Sequence, residues 1–158
     1  MLKNILDARQ TLKLISLWPP YLFAGISVRS VSSDFLEISV QMKQKFYNTN
    51  YVGTHFGGSL YSMCDPWFMF ILLEHLGNDY IVWDKGASID FKSPGKGLVY
   101  ADFKLSESEI LRVKGIADEQ RKCEPEYEVN VYGQSGQVVA RVHKKLYIKR
   151  KDKINKKN

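Results

Sequence analysis

The sequence has only two cysteines, Cys64 and Cys123, and neither has a second cysteine or a histidine at metal-ligand spacing. That excludes a disulfide scaffold, argues against a structural zinc site and fits a reducing compartment. Long apolar runs are also missing. The longest, Trp67 to Leu73, has 7 residues, against the roughly 20 that a spanning helix needs. The opening MLKNILDARQ alternates charged and apolar residues and has no signal-type apolar core. A cytoplasmic protein without a membrane span is expected. No P-loop, dinucleotide fingerprint, HExxH or G-x-S-x-G is present, so no metal and no cofactor is expected.

What remains is a chain of 158 residues that is 44% hydrophobic and 13% aromatic. One domain is the prior for this length, and about two-thirds of its surface can be buried. The net charge of +6 is unevenly placed. Residues 141–158 hold nine basic side chains and one acidic, while the preceding 140 hold 14 basic and 16 acidic. The body is near neutral. The basic end reads either as a solvated terminus or as a site for an anionic partner.

Leu2, Ile5, Leu6, Leu12 and Ile15 recur at helical spacing and predict a first helix over 1–17, stopped by Trp18-Pro19-Pro20. Ile26 and Val28, then Leu36, Ile38, Val40 and Met42, alternate as a hairpin around Ser32-Ser33-Asp34. A long central helix is expected over about 57–76, apolar on most of its circumference and disturbed at Pro66. Beyond Gly77 the period is two. One strand carries Ile81, Trp83, Ala87, Ile89 and Phe91 on one face, and a second carries Val99, Ala101, Phe103 and Leu105. Ser106 and Glu109 suggest a capping box for a short helix to about Lys114, and two more strands run over 127–131 and 138–148. The expectation is α+β: a single domain over 1–148, with an antiparallel sheet of about five to six strands wrapped around a central helix, a hotdog-like arrangement. Residues 149–158 form a basic tail.

Residues 50–65 carry the most chemistry. Gly57-Gly58 directly before a helix leaves the backbone open to close approach, and the first helical N–H groups lack partners. Such groups can receive an oxyanion. Asp65 borders the apolar stripe, which makes it a candidate base. It is equally an N-cap candidate for a helix starting at Pro66. Cys64 lies on the apolar stripe and reads as core. Lys85, on the inward face of its strand, either snorkels or meets an anion in the pocket. Ser62 is placed to donate a hydrogen bond near Asp65.

The pattern N-x-x-G-T-x-F-G-G-x-L-x-x-x-x-D over Asn50–Asp65 resembles the helix-start signature of hotdog thioesterases, H-G-G-x-L-x-x-L-x-D. Trp83-Asp-Lys-Gly-Ala-Ser-Ile-Asp-Phe-Lys-Ser-Pro94 is similar to a strand of a branch of that superfamily labelled a domain of unknown function. The resemblance spans roughly 36–148. It implies hydrolysis of an acyl-CoA or acyl-carrier thioester, with Asp65 activating water or attacking the carbonyl. It implies that the Gly58 N–H polarises that carbonyl and that Asn50 helps place the reacting group. It also implies a homodimer or dimer of dimers with the site across the interface. The family histidine falls at Phe56, with His55 one place earlier, so His55, Phe56, Gly57, Ser62 and Lys85 are the expected substrate contacts. Lys92, Lys96 and the tail are candidate contacts for CoA phosphates. The competing readings are a non-catalytic acyl- or lipid-binding protein, an adaptor led by the basic tail, and a hotdog dehydratase. No nucleic-acid partner is expected, since no aromatic residue beyond Tyr147 could stack a base.

Overall fold

The structure is a computed structural model and describes residues 8–152. Leu2, Ile5 and Leu6, half of the predicted first helix, lie outside the described residues. Helix α1 spans Ala8–Leu14 and passes through a 3-10 turn at Ile15–Leu17. The two prolines then begin a helix rather than only ending one: α2 spans Pro19–Ala24, with Pro in its first turn where no N–H is needed. Gly25 closes α2 in the left-handed conformation, φ 77°.

The predicted hairpin forms as β1 (Ile26–Val31) and β2 (Glu37–Lys43), with Ile38, Val40 and Met42 fully buried on one face. The central helix is broken in two. α3 covers Gly57–Ser62 and α4 covers Trp67–Leu76, with Pro66 at the N-cap of α4. β3 (Tyr80–Phe91), β4 (Leu98–Lys104), α5 (Glu107–Gln120), β5 (Lys122–Cys123), β6 (Glu126–Gly133) and β7 (Val138–Arg150) follow. Ser106 caps α5 by accepting from Glu109 N at 3.1 Å, and the helix outruns the expected end at Lys114 by six residues. β7 likewise takes Lys149 and Arg150 out of the predicted tail and pairs them with Ile81 and Tyr80. Arg150 also bonds Asp118 at 3.0 Å. Residues 153–158 lie outside the described residues.

The sheet is antiparallel, in the order β1-β2-β4-β6-β7-β3, with the two-residue β5 beside β7. Its inner face presents Val40, Val99, Ala101, Phe103, Val131, Val142 and Ile148, all buried. Against it lie Trp67, Phe68, Ile71 and Leu72 of α4, 3% exposed or less. The Trp67 ring meets Tyr21, Phe70 and Phe103 at centroid distances of 5.8, 6.0 and 6.3 Å, and its Nε1 donates to Met63 O.

One predicted face is half wrong. On β3 the inward residues are Tyr80, Val82 and Asp84, followed by Ala87, Ile89 and Phe91. Pairing with β7 jumps from Asp84–Leu146 to Gly86–Lys145, so Lys85 is an extra residue that shifts the alternation by one. Trp83 therefore points outward and stacks on Tyr147 at 5.5 Å.

Trp67→Ala should lower the urea-derived unfolding free energy by about 3–5 kcal/mol, as for a buried aromatic. Trp83→Ala should cost no more than about 1.5 kcal/mol, the scale of its single stack.

Candidate active site

The loop before α3 is tied down by its own polar side chains. Asn50 Oδ1 accepts from the N–H groups of Val52 and Thr54 at 3.1 and 2.9 Å, and its Nδ2 donates to Thr54 Oγ1 and His55 O. Every polar atom of Asn50 is thus engaged within the loop. His55 is buried, and its Nε2 donates to Gly97 O at 3.0 Å, clasping the loop to the 93–97 turn. Burial holds this imidazole below its usual pKa, against the pull of the Gly97 carbonyl.

α3 opens at Phe56. Ser59 N and Leu60 N both donate to Phe56 O, at 2.9 and 3.1 Å, so the Gly57 and Gly58 N–H groups have no acceptor within the helix. A Cβ at Gly57 would stand 2.8 Å from Phe91 Cζ, and one at Gly58 would stand 2.4 Å from Phe56 Cε1. The space over the two glycines is occupied by these two rings, each more than half exposed.

At the other end of α3 the chain leaves the helix through Met63–Pro66, and Asp65 stands on this turn. Its Oδ1 accepts from Lys144 Nζ at 2.7 Å and from Tyr61 Oη at 2.9 Å. No described residue bonds its Oδ2, and its side chain is 46% exposed. The N-cap alternative fails, because Pro66 occupies the cap position and no side chain caps α4. Lys144 rises from β7 with its side chain 0% exposed, and its Nζ also stands 3.0 Å from Asp84 Oδ1. That contact is too far off line for a hydrogen bond, so this buried Asp84 oxygen has none.

One ammonium therefore faces two carboxylates and the Tyr61 ring, whose centroid is 5.2 Å away. Burial acts most strongly on Lys144, but the hydrogen bond to Asp65 and the charges of Asp65 and Asp84 outweigh it and hold the ammonium above its usual pKa. Burial pushes the Asp84 carboxyl up, against the opposing pull of Lys144. Burial, then the bond to Asp65, pushes the Tyr61 phenol up. Cys64, fully buried, has its thiol pushed up to about 12 by burial and is no nucleophile.

Of the residues expected from sequence, Asp65 keeps one oxygen, and Gly57-Gly58 keep N–H groups, without a partner among the described residues. Lys85 does not line the site: it is exposed on the bulge and bonds both oxygens of Glu124 at 2.7 Å. Asn50 and His55 hold the loop together. The Ser62 side chain makes no hydrogen bond, and Lys92 pairs with Asp90 at 3.6 Å. Tyr61, Asp84 and Lys144 were missed. The available signal was Lys144, standing among Ala140, Val142, Leu146 and Ile148 on the inward register of a strand.

A domain family described only as of unknown function, DUF4442, matches residues 8–148. The chain belongs to this family. No curated protein matches this DUF4442 chain. Among solved structures, it is similar to a Pseudomonas aeruginosa protein of unknown function described as a probable thioesterase. The TM-score is 0.80 at 18% identity, over 92% of this chain and 97% of that one. It is also similar to a Haemophilus influenzae thioesterase, with TM-score 0.66 and 11% identity over 92% of each chain. A third is the Escherichia coli PaaI protein from the phenylacetic acid degradation operon, with TM-score 0.55 and 18% identity over 82% of this chain and 81% of that one. These likenesses show the fold: the DUF4442 chain has the hotdog fold that thioesterases carry. Among its described residues no helix is long and apolar enough to cross a membrane.

The raised Asp84 pKa fixes the sign of a pH effect. A carboxyl raised on folding binds its proton more tightly in the native state, so its contribution to stability is lost as pH rises above 3.8 through the native value. Asp84→Asn removes that loss. The unfolding free energy of Asp84→Asn minus that of wild type should therefore increase with pH from about 4 upward, read from urea midpoints at successive pH values.

Proposed function

We propose that the protein hydrolyses an acyl thioester, with the acyl group carried on CoA or an acyl carrier protein. The observation that carries this reading is Asp65, a carboxylate with one oxygen saturated by two donors and the other free at the surface. Asp65 Oδ2 takes a proton from water as the water oxygen bonds to the thioester carbon. The Gly58 N–H polarises the carbonyl, the C–S bond breaks, and the proton passes from Asp65 to the departing sulfur. A thiolate is a good leaving group, so one carboxylate and one oxyanion donor supply the needed catalysis. The exposed rings of Phe56 and Phe91 must swing away from the glycines for a carbonyl to reach them.

Gly58 and Asp65 are seven residues apart, roughly 10 Å along a helical path. One carbonyl cannot meet both in a single chain, which supports a site completed by the facing chain of a homodimer. β3 supports the same reading. It pairs only with β7, and along its other edge a 12-residue strand has no partner among the described residues, with Phe91 exposed on it. Such an edge favours pairing with another chain.

A second reading is an acyl-binding protein without turnover. It is favoured by the rings over Gly57 and Gly58, where the family signature has a histidine. Free-thiol release from acyl-CoA esters of increasing chain length separates the two. Wild type should release thiol from at least one ester, and Asp65→Asn should lower that rate by about 100-fold or more. Ester binding without thiol release by wild type would establish the binding protein instead. Sedimentation should give a dimer, and Ser88→Pro, on the free edge strand, should shift it toward monomer with loss of activity.

A further inference from the structure

Among the described residues Lys144 is the only lysine or arginine that is buried, and nothing in the thioesterase signature assigns it a part. A buried ammonium is retained only where its charge is met, and here it is met twice, at 2.7 Å by Asp65 and at 3.0 Å by Asp84. The two carboxylates come from different elements, the α3–α4 turn and β3, while the lysine comes from β7. Lys144 is therefore the tie between the turn that carries Asp65 and the sheet. The turn has no tie of that kind of its own. The only side-chain hydrogen bonds made within the 61–67 stretch are Tyr61 to Asp65 and Trp67 to Met63.

We propose that Lys144 is a positioning residue of the active site. By occupying Asp65 Oδ1 from below, it fixes the carboxylate so that Oδ2 alone is presented to water. The inference rests on the hydrolase reading, but its geometry can be tested without a substrate. Lys144 itself cannot reach the substrate, because its side chain is wholly buried beneath Asp65. Tyr61, the second donor to the same oxygen, limits the rotation of the carboxylate but comes from the same short helix and cannot anchor it to the sheet. Asp84 balances the other side of the ammonium. It keeps Lys144 extended between turn and strand rather than collapsed onto Asp65. The groups that face the cluster are Tyr61, Asp65 and Asp84, with Tyr21 and Cys64 close enough for the charges to act on them.

The test is Lys144→Met, which keeps the length of the side chain and removes its charge. In a crystal structure of the variant, the Asp65 carboxylate should have left its wild-type position. On an ester that wild type cleaves, kcat should fall at least about tenfold while KM stays within about twofold, the pattern of transition-state stabilisation lost with substrate binding kept. Lys144→Arg should restore part of kcat. A purely structural lysine would lower the melting temperature and leave kcat of the folded protein intact. If Lys144→Met does not fold, Lys144→Met combined with Asp84→Asn removes one of the two uncompensated carboxylates, and the same two readouts apply to it. An Asp65 carboxylate that stays in place in a folded variant overturns the proposal, as does an unchanged kcat. Wild type without activity on any ester overturns the hydrolase reading alone, and the position of Asp65 in the variant then still decides the role of Lys144.

Discussion

The structure depends on enclosing one helix that has almost no polar side. α4 runs WFMFILLEHL, with Glu74 and His75 its only ionisable residues, both in the last turn. Such a helix has no face to offer water and must be covered. The sheet provides the cover, with four long strands lending alternate residues to a common inner surface. Trp67 sits where α4, α2 and β4 meet, so the aromatic contacts of one residue join the N-terminal helices to the sheet. An antiparallel sheet with one face buried and the other wet explains why most of its strands alternate so regularly.

The same constraint places Asp65. A helix continuing unbroken from Gly57 would carry its apolar residues past the sheet at one fixed angle. Pro66 instead ends α3 and starts α4, and the released turn turns Asp65 out of the apolar surroundings of Met63, Cys64 and Trp67. Lys144 then brings charge into the layer beneath. Burying an ion costs several kcal/mol unless it is paired and bonded, and removing one partner of a buried pair is more disruptive than never having had it. The Tyr61–Asp65–Lys144–Asp84 group satisfies that condition except at one Asp84 oxygen, and there burial shows in the raised carboxyl.

Much of the fold was legible because its signals are local. Alternation at Ile38-Val40-Met42 and Val99-Ala101-Phe103, and the Ser106 cap, each follow from a handful of neighbouring residues. The order of elements then implied an antiparallel sheet around a helix. The helix start at the glycine pair and the disturbance at Pro66 were legible for the same reason. What was not legible depends on contacts distant in sequence. Asn50 and His55 have the residue types of catalytic groups, and only the loop's closure onto itself and onto Gly97 shows where their hydrogen bonds go. Tyr61, Asp84 and Lys144 lie 23 and 60 positions apart in the chain. The lysine's place in an apolar alternation was visible, but nothing local names its partners.

The bulge at Lys85 has a bearing on how this chain can vary. Before it, even-numbered residues of β3 lie on the inner face of the sheet, and after it odd-numbered ones do, so Asp84 and Ala87 share a face that regular pleating would deny to one of them. Ala87 pairs across to Lys144, and Asp84 to Leu146. The side chain at 85 is free to change, because it points to solvent and meets only Glu124. The count of residues is not. Losing that single position would restore an even pleat and rotate either Asp84 away from the ammonium or the 87–91 half of the strand away from α3. At position 85 the side chain can change, but the residue cannot be lost without losing the register.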